Sequence, residues 1–150
     1  MPVVVAVDAN VLLKAYIPEA LSDNAASLLH KIEIKELSPV APDFIYSELG
    51  NVLWKKYKLK ELNKHEILRI AEQFMLFPLY TIASKSIFQL ALDISILHEI
   101  SVYDAIYVGV AKIYETRLVT ADKKLVDKLA KTTLGHSVQW LGDKEFTRGH

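Results

Sequence analysis

Four acidic side chains in this 150-residue chain occupy positions where a carboxylate can do chemistry rather than only meet solvent: Asp8, Glu48, Asp104 and Asp122. Asp8 abruptly ends the run Val3-Val4-Val5-Ala6-Val7, whose unbroken β-branched character is that of a strand buried on both faces of a parallel sheet. Asp122 repeats the arrangement, following Leu118-Val119-Thr120 and leading into Lys123-Lys124-Leu125. Either aspartate alone is explained equally well as a helix N-cap. Together they carry more weight, because two strands that deliver carboxylates to one edge set like charges against each other, and a cation between them relieves the repulsion. Asp104 interrupts a segment, Val102 to Ala111, that is otherwise apolar around the whole helical circumference, which predicts a buried helix. A buried ionised carboxylate is usually paired or metal-bound, although Ser101-x-x-Asp104 also fits a capping box. Glu48 falls on the edge of the apolar face of a predicted helix, between Phe44 and Val52 and on the same side as Asn51. By itself it reads as a partly solvated surface residue.

The elements that must position these groups follow from hydrophobic periodicity and from capping and breaking residues. Helical spacing from Leu21 to Lys35 and a short strand at Ser38-Pro39-Val40-Ala41-Pro42 complete a first β-α-β unit. A helix is predicted from Pro42 and Asp43 to about Lys56, and another from an Asn63 cap to about Leu76, where Pro78 stops it. Leu79 to Ala83 reads as a strand, Ser84 as the cap of a helix to about His98, and Ser101 as the cap of a helix from Val102 to about Tyr114. A strand at Arg117 to Thr120, a helix from Asp122 to about Lys131 and a last strand at Val138 to Leu141 follow. The alternation predicts one α/β domain over residues 1–142: a doubly wound parallel sheet of about five strands with helices on both faces. Residues 143–150 are expected to form a mobile tail. In such sheets ligands bind beyond the carboxyl ends of the strands, which is where Asp8 and Asp122 fall.

Composition narrows the chemistry. The absence of cysteine removes disulfides, thiolate zinc sites and cysteine nucleophiles together, so any metal must use oxygen or imidazole ligands. The five histidines show no ligand spacing, and Asp93 is expected to be solvated. Hard oxygen donors favour Mg²⁺ or Mn²⁺. With 51% hydrophobic and 24% charged residues the chain has the composition of a soluble domain. Its longest early apolar run, Val3 to Val7, is far short of the ~20 residues of a membrane span. A cytoplasmic protein is expected. The formal net charge of zero does not bear on nucleic-acid binding, which depends on how charge is distributed. Trp54-Lys55-Lys56-Tyr57-Lys58 interleaves basic and aromatic residues. There Lys55, Lys56 and Lys58 could track a phosphate backbone or complement the end of a helix.

Taken in order, Val-Asp8-Ala-Asn10-Val-Leu, Pro42-x5-Glu48-x2-Asn51-x-Leu53, Tyr103-Asp104-Ala105-x-Tyr107 and Leu118-Val119-Thr120-Ala121-Asp122-x2-Leu125 closely resemble the PIN-domain ribonucleases, most nearly the VapC-type toxins of toxin–antitoxin pairs. The resemblance spans about Val3 to Leu141, and its weight lies in the ordered set of motifs. It implies that Asp8, Glu48, Asp104 and Asp122 are the metal-site and catalytic acids, that Asn10 and Thr120 are polar supports, and that Asn51 is a helix-borne partner of Glu48. It further implies endonucleolytic hydrolysis of single-stranded or loop RNA to a 5′-phosphate and a 3′-hydroxyl, using a divalent cation and no covalent nucleophile. A homodimer and a small antitoxin that blocks the acidic groove are its expected partners. The dimer also suits a mean hydropathy of +0.19 in so small a chain. Two other readings compete. A strand ending in Asp-x-Asn also resembles phosphohydrolases of the haloacid dehalogenase type, but there Asn10 stands where an acid is needed and Glu48 has no role. A PIN-like binding module that cuts nothing is the second.

Overall fold

The computed structural model describes residues 1–147. Within them lie five strands and seven α-helices: β1 (Val3–Val7), α1 (Ala9–Tyr16), α2 (Ser22–Glu33), β2 (Leu37–Pro42), α3 (Ile45–Lys58), α4 (Lys64–Leu76), β3 (Tyr80–Ile82), α5 (Phe88–His98), α6 (Val102–Ile113), β4 (Leu118–Thr120), α7 (Lys123–Leu129) and β5 (Val138–Trp140). All strand pairings are parallel, in the order β3-β2-β1-β4-β5. The chain winds outward from β1 through β2 to β3, then returns past β1 to add β4 and β5. That reversal makes the β1/β4 boundary the topological switch point, where a doubly wound sheet leaves a crevice beyond its carboxyl edge. Right-handed crossovers on the two sides of the switch point put α1–α4 on one face and α5–α7 on the other, in agreement with the packing of α1 on α2 and α3 and of α5 on α6.

Local signals account for the element boundaries. Asn63 and Glu66 form a reciprocal capping box at the start of α4, and α4 ends where Pro78 requires an extended Phe77. The apolar α6 lies across the centre of the sheet against β1, β2 and β4, with Ala105 to Ala111 buried and only its ends exposed. Gly109 permits this close fit. A Cβ there would come within 2.7 Å of Ile87 Cγ2, so the cost of glycine in a helix is offset by the approach of the neighbouring turn. Among the described residues no single helix is long and apolar enough to cross a membrane.

Two local expectations are corrected. Ser84 does not cap α5. It opens a 3₁₀ turn, Ser84–Ile87, and its N–H and hydroxyl both donate to Asp43 Oδ1, at 3.2 and 2.7 Å. The serine therefore ties the β3 exit to the β2 exit. Nor does the folded structure stop at residue 142. A 3₁₀ turn, Lys144–Phe146, returns Phe146 to the core at 1% exposure. Glu145 accepts hydrogen bonds from Gln139 Nε2 at 2.7 Å and from Arg117, so a buried aromatic and a bonded acid anchor this segment where its short polar sequence suggested a free end. Arg148, Gly149 and His150 lie outside the described residues.

Candidate active site

Four helix N-termini supply the acidic residues, and each reaches the carboxyl edge of the sheet by the chain path described above. Asp8 is the N-cap of α1, its Oδ1 accepting from Val11 N–H at 3.0 Å. Asp122 is the N-cap of α7, its Oδ1 accepting from Leu125 N–H at 3.1 Å. Glu48 and Asp104 lie in the first turns of α3 and α6. The capping explanation is therefore correct for the two strand-end aspartates, but it uses only one oxygen of each. At Asp104 it accounts only for the Ser101 side chain, which accepts the Asp104 N–H at 3.1 Å. The positive ends of the four helix dipoles face the carboxylates and partly offset their charge.

Thr120 links the two central aspartates. Its hydroxyl, in a residue 1% exposed, donates to Asp8 Oδ2 at 2.6 Å and accepts from Asp122 N–H at 3.1 Å. The hydroxyl thus spans the switch point from β4 to the end of β1, at a residue the family resemblance implied as a polar support. Asn10 is exposed and makes no hydrogen bond to these residues among those described. Asn51 is likewise exposed, and the partner of Glu48 is a different residue: Tyr107, whose hydroxyl donates to Glu48 Oε1 at 2.7 Å. Sequence reasoning gave Tyr107 no role. The signal was present, because a tyrosine in the middle of an apolar helix must find a partner for its hydroxyl and Tyr107 lies one turn beyond Asp104. Lys55, Lys56 and Lys58 sit in the last turn of α3, about 12 Å along the axis from Glu48. Lys56 pairs with Glu61 at 2.8 Å and Lys58 lies over the Trp54 ring, 5.2 Å from its centroid.

The electrostatics join the acids into one group. Burial pushes the Asp8 carboxyl up to about 6; the hydrogen bonds from Thr120 and Val11 pull it down, and the charges of Glu48 and Asp104 push it up. Burial also raises Glu48, opposed by the Tyr107 hydroxyl and reinforced by Asp104. Asp104 is raised by burial and by the charge of Asp122, against a hydrogen bond from Ser101. Tyr107 is raised by burial and by its bond to Glu48, so it remains a donor. Asp8, Glu48 and Asp104 thus each feel the charge of at least one other acid, in a setting that disfavours ionisation.

Oxygen donors alone line this edge, which suits a hard divalent cation and excludes a thiolate site. Among the described residues, no three acidic or histidine side chains form a ready-made cation cage. The fit lies in donor chemistry and charge: a cation relieves both the mutual repulsion and the desolvation that raise Asp8, Glu48 and Asp104.

Comparison with known proteins places the fold. The sequence model of the PIN domain matches residues 5–131. Ribonuclease VapC3 of Pyrobaculum aerophilum is 30% identical over 128 residues, which cover 81% of this chain and 92% of that protein. The crystal structure of PAE2754 from Pyrobaculum aerophilum superposes with a TM-score of 0.61 at 20% identity, covering 93% of this chain and 84% of that one. A toxin–antitoxin complex from Klebsiella pneumoniae gives 0.60 at 15% identity, covering 90% and 95%. The phosphohydrolase reading is set aside by the family match. A five-stranded parallel sheet in the order β3-β2-β1-β4-β5 and a family match over most of the chain lead to one conclusion: this chain belongs to the PIN-domain family.

Proposed function

We propose that this protein is a VapC-type endoribonuclease that hydrolyses RNA phosphodiester bonds with Mg²⁺ or Mn²⁺, held by Asp8, Glu48, Asp104 and Asp122. The observation that carries the reading is that the family match over residues 5–131 takes in all four acids, while the fold brings each of them to a helix N-terminus at one sheet edge. Similarity to a ribonuclease over most of the chain supplies the substrate class.

The chain's own groups have definable tasks. Four carboxylates repel a phosphodiester, so RNA approaches productively only when their charge is offset. A divalent cation, when bound, supplies Lewis-acid polarisation of the phosphate and acidification of water. Thr120 holds Asp8 and Asp122 in fixed relation across the switch point. Burial keeps Asp8, Glu48 and Asp104 poorly solvated, which strengthens their attraction for a cation. The products are a 5′-phosphate and a 3′-hydroxyl, formed as the attacking water oxygen bonds phosphorus and the P–O3′ bond breaks.

The same reading makes the protein a cytoplasmic toxin that forms a homodimer and pairs with a small antitoxin. Support for the antitoxin is the similarity in fold to a protein solved in a toxin–antitoxin complex, and light scattering of the purified chain tests the dimer. In this reading Asn10 and Asn51 face substrate or cation from the rim, and Lys55, Lys56 and Lys58 extend the RNA track along α3. The deciding experiment incubates defined RNAs with the protein and Mg²⁺ or Mn²⁺, against EDTA and against Asp8→Asn and Asp104→Asn. Cation-dependent cleavage lost in both variants is expected. A metal-induced thermal shift with no cleavage of any RNA would instead favour a binding module.

A further inference from the structure

We propose that Tyr107 is a positioning residue for Glu48, its hydroxyl fixing one carboxylate oxygen so that the other is presented to the divalent cation. The inference rests on the metal-site reading given above. Glu48 lacks the N-cap anchor that fixes two of the other acids. Asp8 and Asp122 are fixed by N-cap bonds to their own helices, whereas Glu48 projects from a helix whose N-cap, Phe44, makes no side-chain cap bond. A glutamate has three rotatable side-chain bonds, so without a partner it spreads over many rotamers. The Tyr107 hydroxyl at 2.7 Å is its hydrogen-bond partner, and Oε2 has none among the described residues.

The donor itself is held rigidly. Tyr107 is 4% exposed and belongs to α6, the helix that also carries Asp104 one turn earlier. Phe44, at the entry to α3, packs edge-on against both Tyr103 and Tyr107, with ring centroids 5.7 and 5.3 Å apart. This aromatic wedge sets the first turn of α3 against the first turn of α6. Glu48 and Asp104, which come from different crossovers, are thereby registered through side chains rather than through the sheet. A hydrogen bond to a ligating carboxylate selects its orientation, and removing such outer partners typically weakens metal affinity about 10–100-fold.

The test measures Mn²⁺ affinity by isothermal titration calorimetry, together with metal-free melting temperature and RNA cleavage, for wild type, Tyr107→Phe, Tyr103→Phe, Glu48→Ala and Tyr107→Phe/Glu48→Ala. Tyr107→Phe keeps the buried ring, so its metal-free melting temperature is expected within a few degrees of wild type. Its Mn²⁺ Kd should rise about tenfold, and cleavage should recover as Mn²⁺ is raised. Tyr103→Phe should match wild type, because that hydroxyl is not bonded to an acid. In the Glu48→Ala background, Tyr107→Phe should change the Mn²⁺ Kd no further. A Tyr107→Phe Kd within twofold of wild type, or an equal effect with and without Glu48, would overturn the proposal. So would a large fall in melting temperature with unchanged Kd, since the tyrosine is then a core residue only. Weakened Mn²⁺ binding in a protein that cleaves no RNA would leave the positioning role standing and remove the ribonuclease reading. A wild type that binds no Mn²⁺ removes both.

Discussion

Replacing Thr120 by valine removes the hydroxyl that joins the two strand-end aspartates while keeping the volume of a side chain that is 1% exposed. Two bonds are lost, to Asp8 Oδ2 at 2.6 Å and from Asp122 N–H at 3.1 Å. Their costs depend differently on pH. In the metal-free protein, Asp8 titrates near about 6 against a reference of 3.8. A carboxyl whose folded value is raised contributes stability that is complete below the unfolded value and is lost as pH rises through the folded one. The rise from 3.8 to about 6 corresponds to about 3 kcal/mol, complete only below about pH 4 and absent by about pH 7. The Thr120 hydroxyl opposes that loss, because it favours the charged form. At pH 7.5 it bonds a carboxylate, worth about 1.5–3 kcal/mol, and at pH 4.5 a neutral acid, worth about 0.5–1.5 kcal/mol. The Asp122 N–H term is common to both conditions. Thr120→Val should therefore destabilise the protein by about 1 kcal/mol more at pH 7.5 than at pH 4.5, and should move the Asp8 titration about one further unit upward. Urea unfolding in EDTA at the two pH values reads the first, and following the Asp8 carboxyl carbon by NMR in EDTA as pH is varied reads the second. Thr120→Ser, which keeps the hydroxyl, should restore both. Equal destabilisation at the two pH values with an unmoved Asp8 titration in EDTA would refute the coupling of Thr120 to a charged Asp8.

Asp8→Asn should abolish RNA cleavage yet raise the metal-free melting temperature at pH 7.5, because it removes a desolvated charge; a thermal melt beside a cleavage assay checks the opposed directions. Mn²⁺ at 100 times its Kd should stabilise wild type by about 2.7 kcal/mol, reversibly with EDTA and much less in Asp104→Asn, as followed by chemical unfolding at fixed pH. Phe146→Ala should cost about 3–5 kcal/mol, measured by urea unfolding; a cost near zero would mean that the C-terminal turn is not part of the core.

The strand-end aspartates and the order of elements were legible in the sequence because they depend on local signals. A β-branched run that stops at Asp8, an Asn63 cap and a proline beyond Leu76 are each decided within a few residues by backbone sterics and nearby hydrogen bonds. The burial of α6 was legible for the same reason, since a helix apolar on all sides has no solvent face. The sequence by itself could not decide which side chains meet across the switch point. The family resemblance implied Asn51 as the partner of Glu48, whereas the hydrogen-bond partner is Tyr107, 59 residues away, brought within reach where the first turns of α3 and α6 meet at one sheet edge. The sequence also left Ser84 as a helix cap and residues 143–150 as a tail. Asp43 captures the serine and the core captures Phe146, and both contacts exist only once distant elements have packed. Capping and periodicity are local free energies that the chain carries before it folds. The pairing of Thr120 with Asp8 and of Tyr107 with Glu48, and with it the shared charge environment of the four acids, arises only when a parallel sheet in the order β3-β2-β1-β4-β5 gathers separate helix N-termini at one edge.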